Sequence, residues 1–365
     1  MLQIKAAVPF VALVVAWMLS GCETLTYYAQ AVNGHAQLMH RVRDIPAVQA
    51  DPGTSAALNK RLQRVLEVRD FATRELALPD NGSYRGFAEL GRQAVVWSLV
   101  ATPEFSVEPV QWCYPVIGCA SYRGYFDRED ARAAGRKQGQ QGRDWTVEPV
   151  AAYSTLGWFD DPLPSTVLHW SEARLAGLVF HELAHQRLYL AGDSTFNESF
   201  ATAVEQAGVQ RWLERRGDEA ALHAWQRGEQ RQQDFVALLL AARARLQALY
   251  ARPLAVDELR RAKAQELEAL QRRYRRLADG WEEAEGFGAW FERPVNNARL
   301  ALVGTYEQWR PAFLQLLCRQ GGDFDAFYRA AGELSKLPPE QRKRRLQALL
   351  AEARSTNQEQ RRSCP

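Results

Sequence analysis

Residues 175–202 read LAGLVFHELAHQRLYLAGDSTFNESFAT, and this stretch decides both the expected fold and the expected chemistry. The segment HELAH, from His181 to His185, lies among apolar residues with no proline or glycine after Gly177, which favours a helix. Two histidines separated by one helical turn share a face, so both imidazoles can reach one Zn²⁺ ion. We therefore predict that His181 and His185 are metal ligands.

Glu182 is the residue that would act on the substrate in this pattern. Zinc lowers the pKa of a bound water towards ~7, and a nearby carboxylate can accept its proton and deliver it to a leaving amine. Glu182 is therefore the predicted general base. The alternative is a pair of surface histidines on an amphipathic helix, which does not explain the apolar residues around them.

The third ligand is expected from the segment that follows. A catalytic zinc site takes three protein ligands and leaves one position open. The metzincin pattern requires a glycine and a histidine where this chain has Leu188 and Ala191. The chain is therefore not a metzincin. We predict instead that Glu198 follows a loop, Ala191–Phe196, and comes from an antiparallel neighbouring helix to give a His–His–Glu site. Otherwise Glu198 is a carboxylate near a helix N-terminus, favourably placed in the helix dipole.

Other residues are candidates for supporting this site. Glu205 lies on the same helical face as Glu198 and could accept a hydrogen bond from the second ring nitrogen of a ligand histidine, or could simply be solvated. Asn197 is assigned a similar supporting role. A donor must also stabilise the developing oxyanion. Tyr306 is predicted for this, with the tyrosines of the segment Tyr122–Tyr125 as alternatives, although each tyrosine could instead serve packing.

Periodicity along the rest of the chain predicts a mainly α fold (α+β), a compact zincin-like unit with a small β element and helical additions. We predict a single domain over 22–365, with a helical hairpin inserted around 235–277. In the first half, the predicted elements are helix over 23–78, strands at Val95–Val100 and Phe105–Val107, and loop-rich chain over 112–170 with one helix and turn in Arg128–Arg143. From Ser171 onward the chain is predicted to be almost entirely helical. Its predicted helices include the hairpin helices 235–250 and 254–277 and further helices after Pro294, Pro311 and Pro338.

The N-terminal residues indicate export. The apolar run Ala6–Leu19 is shorter than the ~20 residues that a spanning helix needs, and it suits a signal peptide. The sequence LSGC, ending at Cys22, looks like a bacterial lipobox. We predict a lipoprotein signal peptide over 1–21 and lipid attachment at Cys22; the alternative is a plain secretory signal. Glu23 favours the outer membrane, with the domain facing the periplasm.

The remaining cysteines are Cys113, Cys119, Cys318 and Cys364. An oxidising compartment permits disulfides, and sequence alone allows three connectivities. Cys113 and Cys119 bracket a short loop and are the predicted pair, which would leave Cys318 for Cys364. No two of them have Cys-x2-Cys spacing, which disfavours a cysteine zinc site.

Composition narrows the classes of protein and of partner. With 24% charged and 47% hydrophobic residues, the chain is an ordinary globular protein rather than a collagen-like, disordered or polytopic membrane one. Its 46 lysines and arginines nearly balance 43 aspartates and glutamates, giving a net charge of +3. Such a balance lacks the electrostatic footprint of nucleic-acid binding, so nucleic acid is not expected as a partner.

Four motifs together resemble a bacterial family of zinc-dependent aminopeptidases among the gluzincin metallopeptidases. They are CASYRGYF at Cys119–Phe126, HELAHQRLY at His181–Tyr189, FNESFAT at Phe196–Thr202 and NNARL at Asn296–Leu300. The resemblance covers most of the mature chain. It implies that His181, His185 and Glu198 bind zinc and that Glu182 is the general base. We predict a zinc metallopeptidase, an aminopeptidase, that acts on short peptides.

Two departures from the gluzincin aminopeptidases keep other functions open. The linker from His185 to Glu198 is shorter than theirs, and their Gly-x-Met-Glu-Asn segment, which grips the amino group of a substrate, is absent. An endopeptidase of envelope proteins remains an alternative. So does a non-catalytic envelope lipoprotein with a structural zinc site, acting in assembly or as a chaperone-like factor.

Overall fold

The structure is a computed structural model that describes residues 24–114, 118–281 and 286–355. The predicted signal peptide 1–21, the predicted lipidation site Cys22 and the predicted disulfide partner Cys364 lie outside these ranges. In the part of the chain that is described, no helix has the length and apolar character needed to cross a membrane.

The described chain is mainly helical with small sheets, as the sequence predicted. Its N-terminal half comprises α1 (24–39), β1 (Val42–Asp44), α2 (Ile45–Gln49), α3 (Ala56–Leu76), β2 (Gly86–Ala88), β3 (Val96–Pro103), β4 (Trp112–Tyr114), β5 (Gly118–Ala120), β6 (Arg123–Tyr125), α4 (Arg128–Gln140), β7 (Arg143–Val150) and β8 (Leu163–Pro164). The C-terminal half comprises α5 (Glu172–Arg187), α6 (Ser194–Arg216), α7 (Glu219–Tyr250), α8 (Val256–Ala278), α9 (Asn297–Glu307), α10 (Arg310–Arg319), α11 (Phe324–Lys336) and α12 (Pro339–Ser355).

The strands of the described residues form three small sheets with the orders β1-β2-β8, β6-β3-β7 and β4-β5. In the second sheet, β3 pairs antiparallel with β7 from Val96 opposite Val150 to Pro103 opposite Arg143. In the third, Cys113 lies directly opposite Cys119, and the two form a disulfide. Cys318 is also disulfide-bonded.

The main hydrophobic core encloses α5 and α6. Apolar residues of α5 face several directions around the helix, and Leu175, Val179, Phe180 and Leu183 are all fully buried. A helix with apolar residues on all sides must be covered on all sides. Here the neighbours are α3, α6, α10, α11 and α12, whose side chains join the same cluster. The HELAH segment is therefore held inside the main hydrophobic core.

The predicted hairpin is present, and it begins earlier than expected because α7 starts at Glu219 rather than near residue 235. Apolar residues of α7 and α8, including Phe235, Leu246 and Leu270, form a second core cluster. The charged face of α8 binds the β3–β7 sheet region, since Nζ of Lys263 lies 2.7 Å from a carboxylate oxygen of Asp144. The hairpin therefore packs against the sheet through ion pairs as well as apolar contacts.

One predicted strand and one predicted loop segment need correction. Phe105–Val107 is not a strand but a turn after β3, where the amide of Ser106 donates to the carbonyl of Pro103 at 3.2 Å. Val107 instead enters the apolar cluster of the hairpin. The loop-rich segment 112–170 contains β7, which its mixed polar and apolar sequence did not reveal. Pairing with β3, distant in sequence, makes it a strand.

The predicted helix over 23–78 is also wrong as a single element. The helical pattern is interrupted by β1, whose residues pair with β2 from Val42 opposite Ala88 to Asp44 opposite Gly86. Helix resumes with α2 and then with α3, which is capped by the Ser55 hydroxyl accepting from the amide of Leu58. Non-local strand pairing of this kind leaves no periodic signal in one short segment.

Candidate metal centre

The linker between the two central helices sets where Glu198 lies. The helix α5 ends at Arg187, and α6 begins at Ser194, earlier than the predicted loop Ala191–Phe196 allows. The reason is Asp193, whose Oδ1 accepts a hydrogen bond from the amide of Phe196 at 3.0 Å and caps the helix. Glu198 consequently lies in the second turn of α6 rather than at its start.

Asn197 does not contact the ligands in the way we predicted; it fixes the linker instead. Its Oδ1 accepts from the amide of Leu190 at 2.7 Å, and its Nδ2 donates to the carbonyl of the same residue at 2.8 Å. Both polar ends of a buried side chain are thus satisfied by one backbone unit. This clamp holds the short linker against the first turn of α6.

The structure brings together the three residues that the sequence predicted as ligands. Nε2 of His181 lies 3.2 Å from Nε2 of His185 and 3.3 Å from Oε2 of Glu198. Nε2 of His185 lies 3.4 Å from the same carboxylate oxygen. All three side chains are buried, and they form a group that could hold a metal ion.

These separations match what a zinc ion requires. In a tetrahedral site with zinc–nitrogen and zinc–oxygen distances of about 2.0–2.1 Å, two ligand atoms are about 3.3–3.4 Å apart. The three measured separations, 3.2, 3.3 and 3.4 Å, lie close to this value on every side of the triangle. Two imidazoles and one carboxylate are also a donor set that zinc accepts in catalytic sites. The residues present therefore fit the ion.

The buried histidines and carboxylates of the cluster stabilise each other's charged forms. Burial lowers the pKa of the His181 imidazole, but the carboxylates of Glu198 and Glu205 outweigh burial and leave that pKa well above its usual value. Burial raises the pKa of Glu198, but the charge of His185 and hydrogen bonds from both histidines reverse the effect and hold that pKa below its usual value. Glu198 is therefore an ionised carboxylate, the form that binds a metal.

Glu205 occupies the position expected for a residue that orients a ligand histidine. Its Oε2 lies 3.0 Å from Nδ1 of His181, on the side of the ring away from Glu198. The space that Glu205 occupies depends on Gly177, because a Cβ at that position would lie 3.0 Å from Oε1 of Glu205. Among the described residues, Nδ1 of His185 has no hydrogen-bond partner.

Glu182 lies on α5 beside the cluster and is buried. Burial raises the pKa of its carboxyl group, partly offset by the nearby charges of His181 and His185. It is not one of the three residues that could hold the metal. A buried carboxyl group beside two imidazoles is the kind of group that serves as a general base.

Two tyrosine hydroxyls face Glu198. The hydroxyl of Tyr122 donates to Oε1 of Glu198 at 3.1 Å, on the oxygen that the histidines do not contact. The ring of Tyr306 stacks on His181 with 6.2 Å between ring centroids. Burial and the charge of Glu198 raise the pKa of Tyr306 well above its usual value, so its hydroxyl stays protonated as a donor.

Of the segment Tyr122–Tyr125, only Tyr122 is placed at the cluster. It immediately precedes β6, and the neighbouring amide of Ser121 donates to Oγ of Ser194 at 3.2 Å, which ties this chain to the start of α6. Arg123 instead lies over the ring of Tyr27, 3.9 Å from its centroid. Tyr125 packs in a small cluster between β3 and α4.

The motif NNARL has a structural role, which sequence reasoning did not identify. Nδ2 of Asn297 donates to the carbonyl of Glu104 at 2.9 Å, and its Oδ1 accepts from the hydroxyl of Tyr250 at 2.9 Å. The guanidinium of Arg299 donates to the carbonyl of Arg293 at 2.9 Å. The bonds of Asn297 join α9, the helix that carries Tyr306, to the residue after β3 and to the hairpin. The bond of Arg299 holds the chain just before α9.

A buried charged network behind the centre was also missed. Nε of Arg310 lies 2.7 Å from Oε2 of Glu307, and its Nη1 lies 3.4 Å from Oε2 of Glu229 and 3.0 Å from Oε1 of Gln206. Burial raises the pKa of Glu229 to about 7. Glu307 directly follows Tyr306, but nothing in the sequence indicates that α6, α7 and α10 meet there.

Gln186 joins α5 to two neighbouring loops. Its Nε2 donates to Oδ2 of Asp161 at 3.2 Å and to Oγ of Ser83 at 3.1 Å, while its Oε1 accepts from Nδ2 of Asn81 at 2.7 Å. No role was predicted for Gln186 from the sequence. Its place in the HELAHQRLY motif was the only sign in the sequence that it matters for the site. The residue next to His185 therefore anchors two loops that border α5.

The fold and the cluster define a mainly helical protein with a buried His–His–Glu group that could hold a metal ion. The family described as "Putative aminopeptidase" matches residues 26–346, so the chain belongs to this family. The name of the family suggests an aminopeptidase, which is a class of hydrolase. No significant match was found among curated proteins or among solved structures.

Proposed function

We propose that the protein is a zinc-dependent metallopeptidase, and specifically an aminopeptidase that acts on short peptides. The observation that carries this proposal is the triangle of His181, His185 and Glu198. Its three sides have the lengths that a tetrahedral zinc ion requires. Membership of an aminopeptidase family supports the reaction class.

Each group around the triangle has a role in this proposal. A zinc ion held by the three ligands would supply a Lewis acid and a water of lowered pKa. Glu182 would accept a proton from the attacking water and return it to the leaving amine, because its carboxyl group is buried next to His181 on α5. Tyr306 would donate a hydrogen bond to the oxyanion, because its hydroxyl is buried and protonated.

We propose a zincin-like arrangement for the catalytic core. The support is the pair of adjacent helices α5 and α6, which carry the three candidate ligands, and the hydroxyl of Tyr122, just before β6, which donates to Glu198. The short linker between the helices is compatible with this arrangement, because Asn197 fixes it through Leu190.

An aminopeptidase and an endopeptidase would share this chemistry and differ in the cleft. A non-catalytic protein with a structural zinc site is disfavoured, because the buried carboxyl group of Glu182 beside the ligands has no use in such a site. A structural site also normally has four protein ligands, and the group found here has three.

We propose that the protein is attached to the outer membrane by a lipid on Cys22 and faces the periplasm. The support is the lipobox-like sequence before Cys22 and the glutamate that follows it. The disulfide between Cys113 and Cys119 is compatible with an oxidising compartment.

The proposal is tested by metal content and by digestion of a mixed peptide library. The purified protein should contain one zinc ion per chain, and His185→Ala should abolish binding, whereas His223→Ala, at an exposed histidine of α7, should leave it intact. The library should lose single N-terminal residues, and a chelator should stop the reaction. Absence of stoichiometric zinc contradicts the proposal, and internal cleavage contradicts the aminopeptidase assignment.

A further inference from the structure

The exposed apolar side chains of the protein are concentrated in one region. Six large apolar residues of the described chain are exposed, and five of them lie on α1 or in the loop 154–161. Leu25 is 71% exposed, Val32 69% and Trp158 72%. Tyr28 and Phe159 complete this group, while the sixth residue, Val256, lies at the start of α8. We call the five clustered residues the apolar surface.

The helix α1 presents an uncharged face to solvent. Residues 24–39 contain no aspartate, glutamate, lysine or arginine. Leu25, Tyr28 and Val32 follow one another at steps of three and four, so they share one face of the helix. The opposite face packs on the protein, where Leu38 is buried and Gly34 lies against the ring of Phe126.

The loop 154–161 holds its two exposed aromatic residues in a fixed shape. The amide of Thr155 donates to Oδ2 of Asp161 at 3.0 Å, and its hydroxyl donates to the carbonyl of Phe159 at 3.1 Å. Leu156 and Gly157 both have positive φ, 57° and 81°, which makes the tight turn. The backbone therefore presents Trp158 and Phe159 outwards without help from an apolar core.

The helix and the loop form one continuous surface. The ring of His35, one turn after Val32, packs on the ring of Phe159 with 4.6 Å between centroids. Nδ1 of His35 also lies 2.6 Å from the hydroxyl of Tyr153, just before the loop. Exposed apolar groups that cluster in this way mark an interaction site rather than scattered surface residues.

We propose that the apolar surface lies in the interfacial layer of a lipid bilayer. Cys22, the proposed site of lipid attachment, is three residues before Leu25, so about 10 Å of extended chain at most separates the lipid from the surface. An uncharged helix face costs little to bury at the headgroup level, and tryptophan and tyrosine are the side chains that favour this layer. This inference uses the proposed lipidation of Cys22 only to argue that the apolar surface lies close to the membrane.

Contact between the apolar surface and the bilayer would also orient the candidate metal centre. Asp161 closes the loop and accepts a hydrogen bond from Gln186 of α5, the residue next to His185. The apolar surface is therefore connected through two side chains to the helix that carries both ligand histidines. The centre would be held near the membrane instead of turning freely at the end of a tether.

The test uses the mature chain from Cys22 onward, without the predicted signal peptide and its Trp17. The chain is mixed with vesicles of phosphatidylethanolamine and phosphatidylglycerol that carry bromine on their acyl chains. Bromine quenches tryptophan fluorescence on contact, so the quenched fraction reports Trp158 at the bilayer. We expect quenching in the unmodified protein and loss of most of it in Trp158→Phe. We also expect its loss in Leu25→Asp with Val32→Asp, which leaves the tryptophan in place.

Val256→Asp is the matched control for the Val32→Asp change, because it places one aspartate at an exposed valine on another helix. It should keep full quenching, and circular dichroism should show that every variant is folded. No quenching in the unmodified protein, or equal quenching in Trp158→Phe, overturns the proposal. Concentration-dependent dimers without quenching also overturn it and assign the surface to a second copy of the chain. The readout is independent of peptidase activity.

Discussion

Glu205 reaches His181 from the side opposite to Glu198, so that one imidazole is held at both of its nitrogens. Nδ1 of His181 lies 3.0 Å from Glu205, and Nε2 lies 3.3 Å from Glu198. This contact fixes the orientation of the ring and leaves Nε2 directed at the position where a metal would bind. Two successive turns of α6 thus separate the candidate ligand Glu198 from Glu205, the residue that orients His181.

Replacement of Glu205 tests this relationship. We expect Glu205→Gln to weaken zinc binding roughly 10- to 100-fold, because the amide orients His181 less strongly than a carboxylate does. Competition with a chelator measures the change. Glu214→Gln, at an exposed glutamate later in α6, is the control and should not alter affinity. Equal affinities for the two variants would show that Glu205 is merely solvated.

Glu182→Gln should separate metal binding from hydrolysis. The side chain is outside the ligand group, so the zinc content should stay unchanged. Turnover should fall by about 10²- to 10⁴-fold, because the amide cannot accept the proton of the attacking water. Zinc analysis and peptide hydrolysis on the same sample give both values. Undiminished turnover would remove Glu182 from the mechanism.

The two tyrosines at Glu198 should have different effects when their hydroxyls are removed. Tyr306→Phe should lower kcat by about 10²- to 10³-fold with little change in zinc affinity, because it loses the donor to the oxyanion. Tyr122→Phe should mainly lower zinc affinity, by roughly 10-fold, because its hydroxyl orients Glu198.

Tyr328→Phe is the matched control for both, since the buried hydroxyl of Tyr328 donates to the carbonyl of Leu76 in another part of the core. It should reduce stability without changing kcat or zinc affinity. The reverse pattern, with Tyr122→Phe lowering kcat alone, would exchange the roles of the two tyrosines.

The raised pKa of Glu229 predicts that the free energy of unfolding depends on pH. Burial raises its pKa from 4.5 to about 7, although Arg310 partly offsets the effect. A carboxyl group with a raised folded-state pKa stabilises the fold below its unfolded pKa, and this contribution is lost as the pH rises through the folded pKa. We expect Glu229→Gln to be more stable than the unmodified protein near pH ~8, by about 1–3 kcal/mol, and similar near pH ~5.

Urea unfolding at the two pH values measures this difference. Arg310 keeps Glu307 as a partner at 2.7 Å in the variant, so its charge is not left unpaired. A stability difference that is the same at both pH values would show that Glu229 does not titrate in this range.

The local parts of the candidate site followed from the sequence. The spacing of His181 and His185 places them on one helix face, and the apolar residues around them require a buried helix, which α5 is. Glu198 and Glu205 were correctly expected on a common face of the next helix. In each case, the geometry of a single helix determines the relation between residues a few positions apart.

Only the tertiary structure decided which distant groups meet. Tyr122 reaches Glu198 across 76 residues, and no local spacing indicates this contact. Asn197 was expected near the ligands, but the conformation of the linker directs it to Leu190 instead. The strands β1 and β7 likewise depend on partners far along the chain.

The amino-acid sequence by itself determined the mainly helical class, the two histidines, the two carboxylates on α6 and the pairing of Cys113 with Cys119. Packing between elements is what brings Tyr122 and Tyr306 to Glu198, joins Arg310 to side chains of α6, α7 and α9, and sets α1 against the loop 154–161. The physical reason is that helix periodicity and short loops are set by neighbouring residues. Contacts between elements depend instead on how all the buried faces pack together.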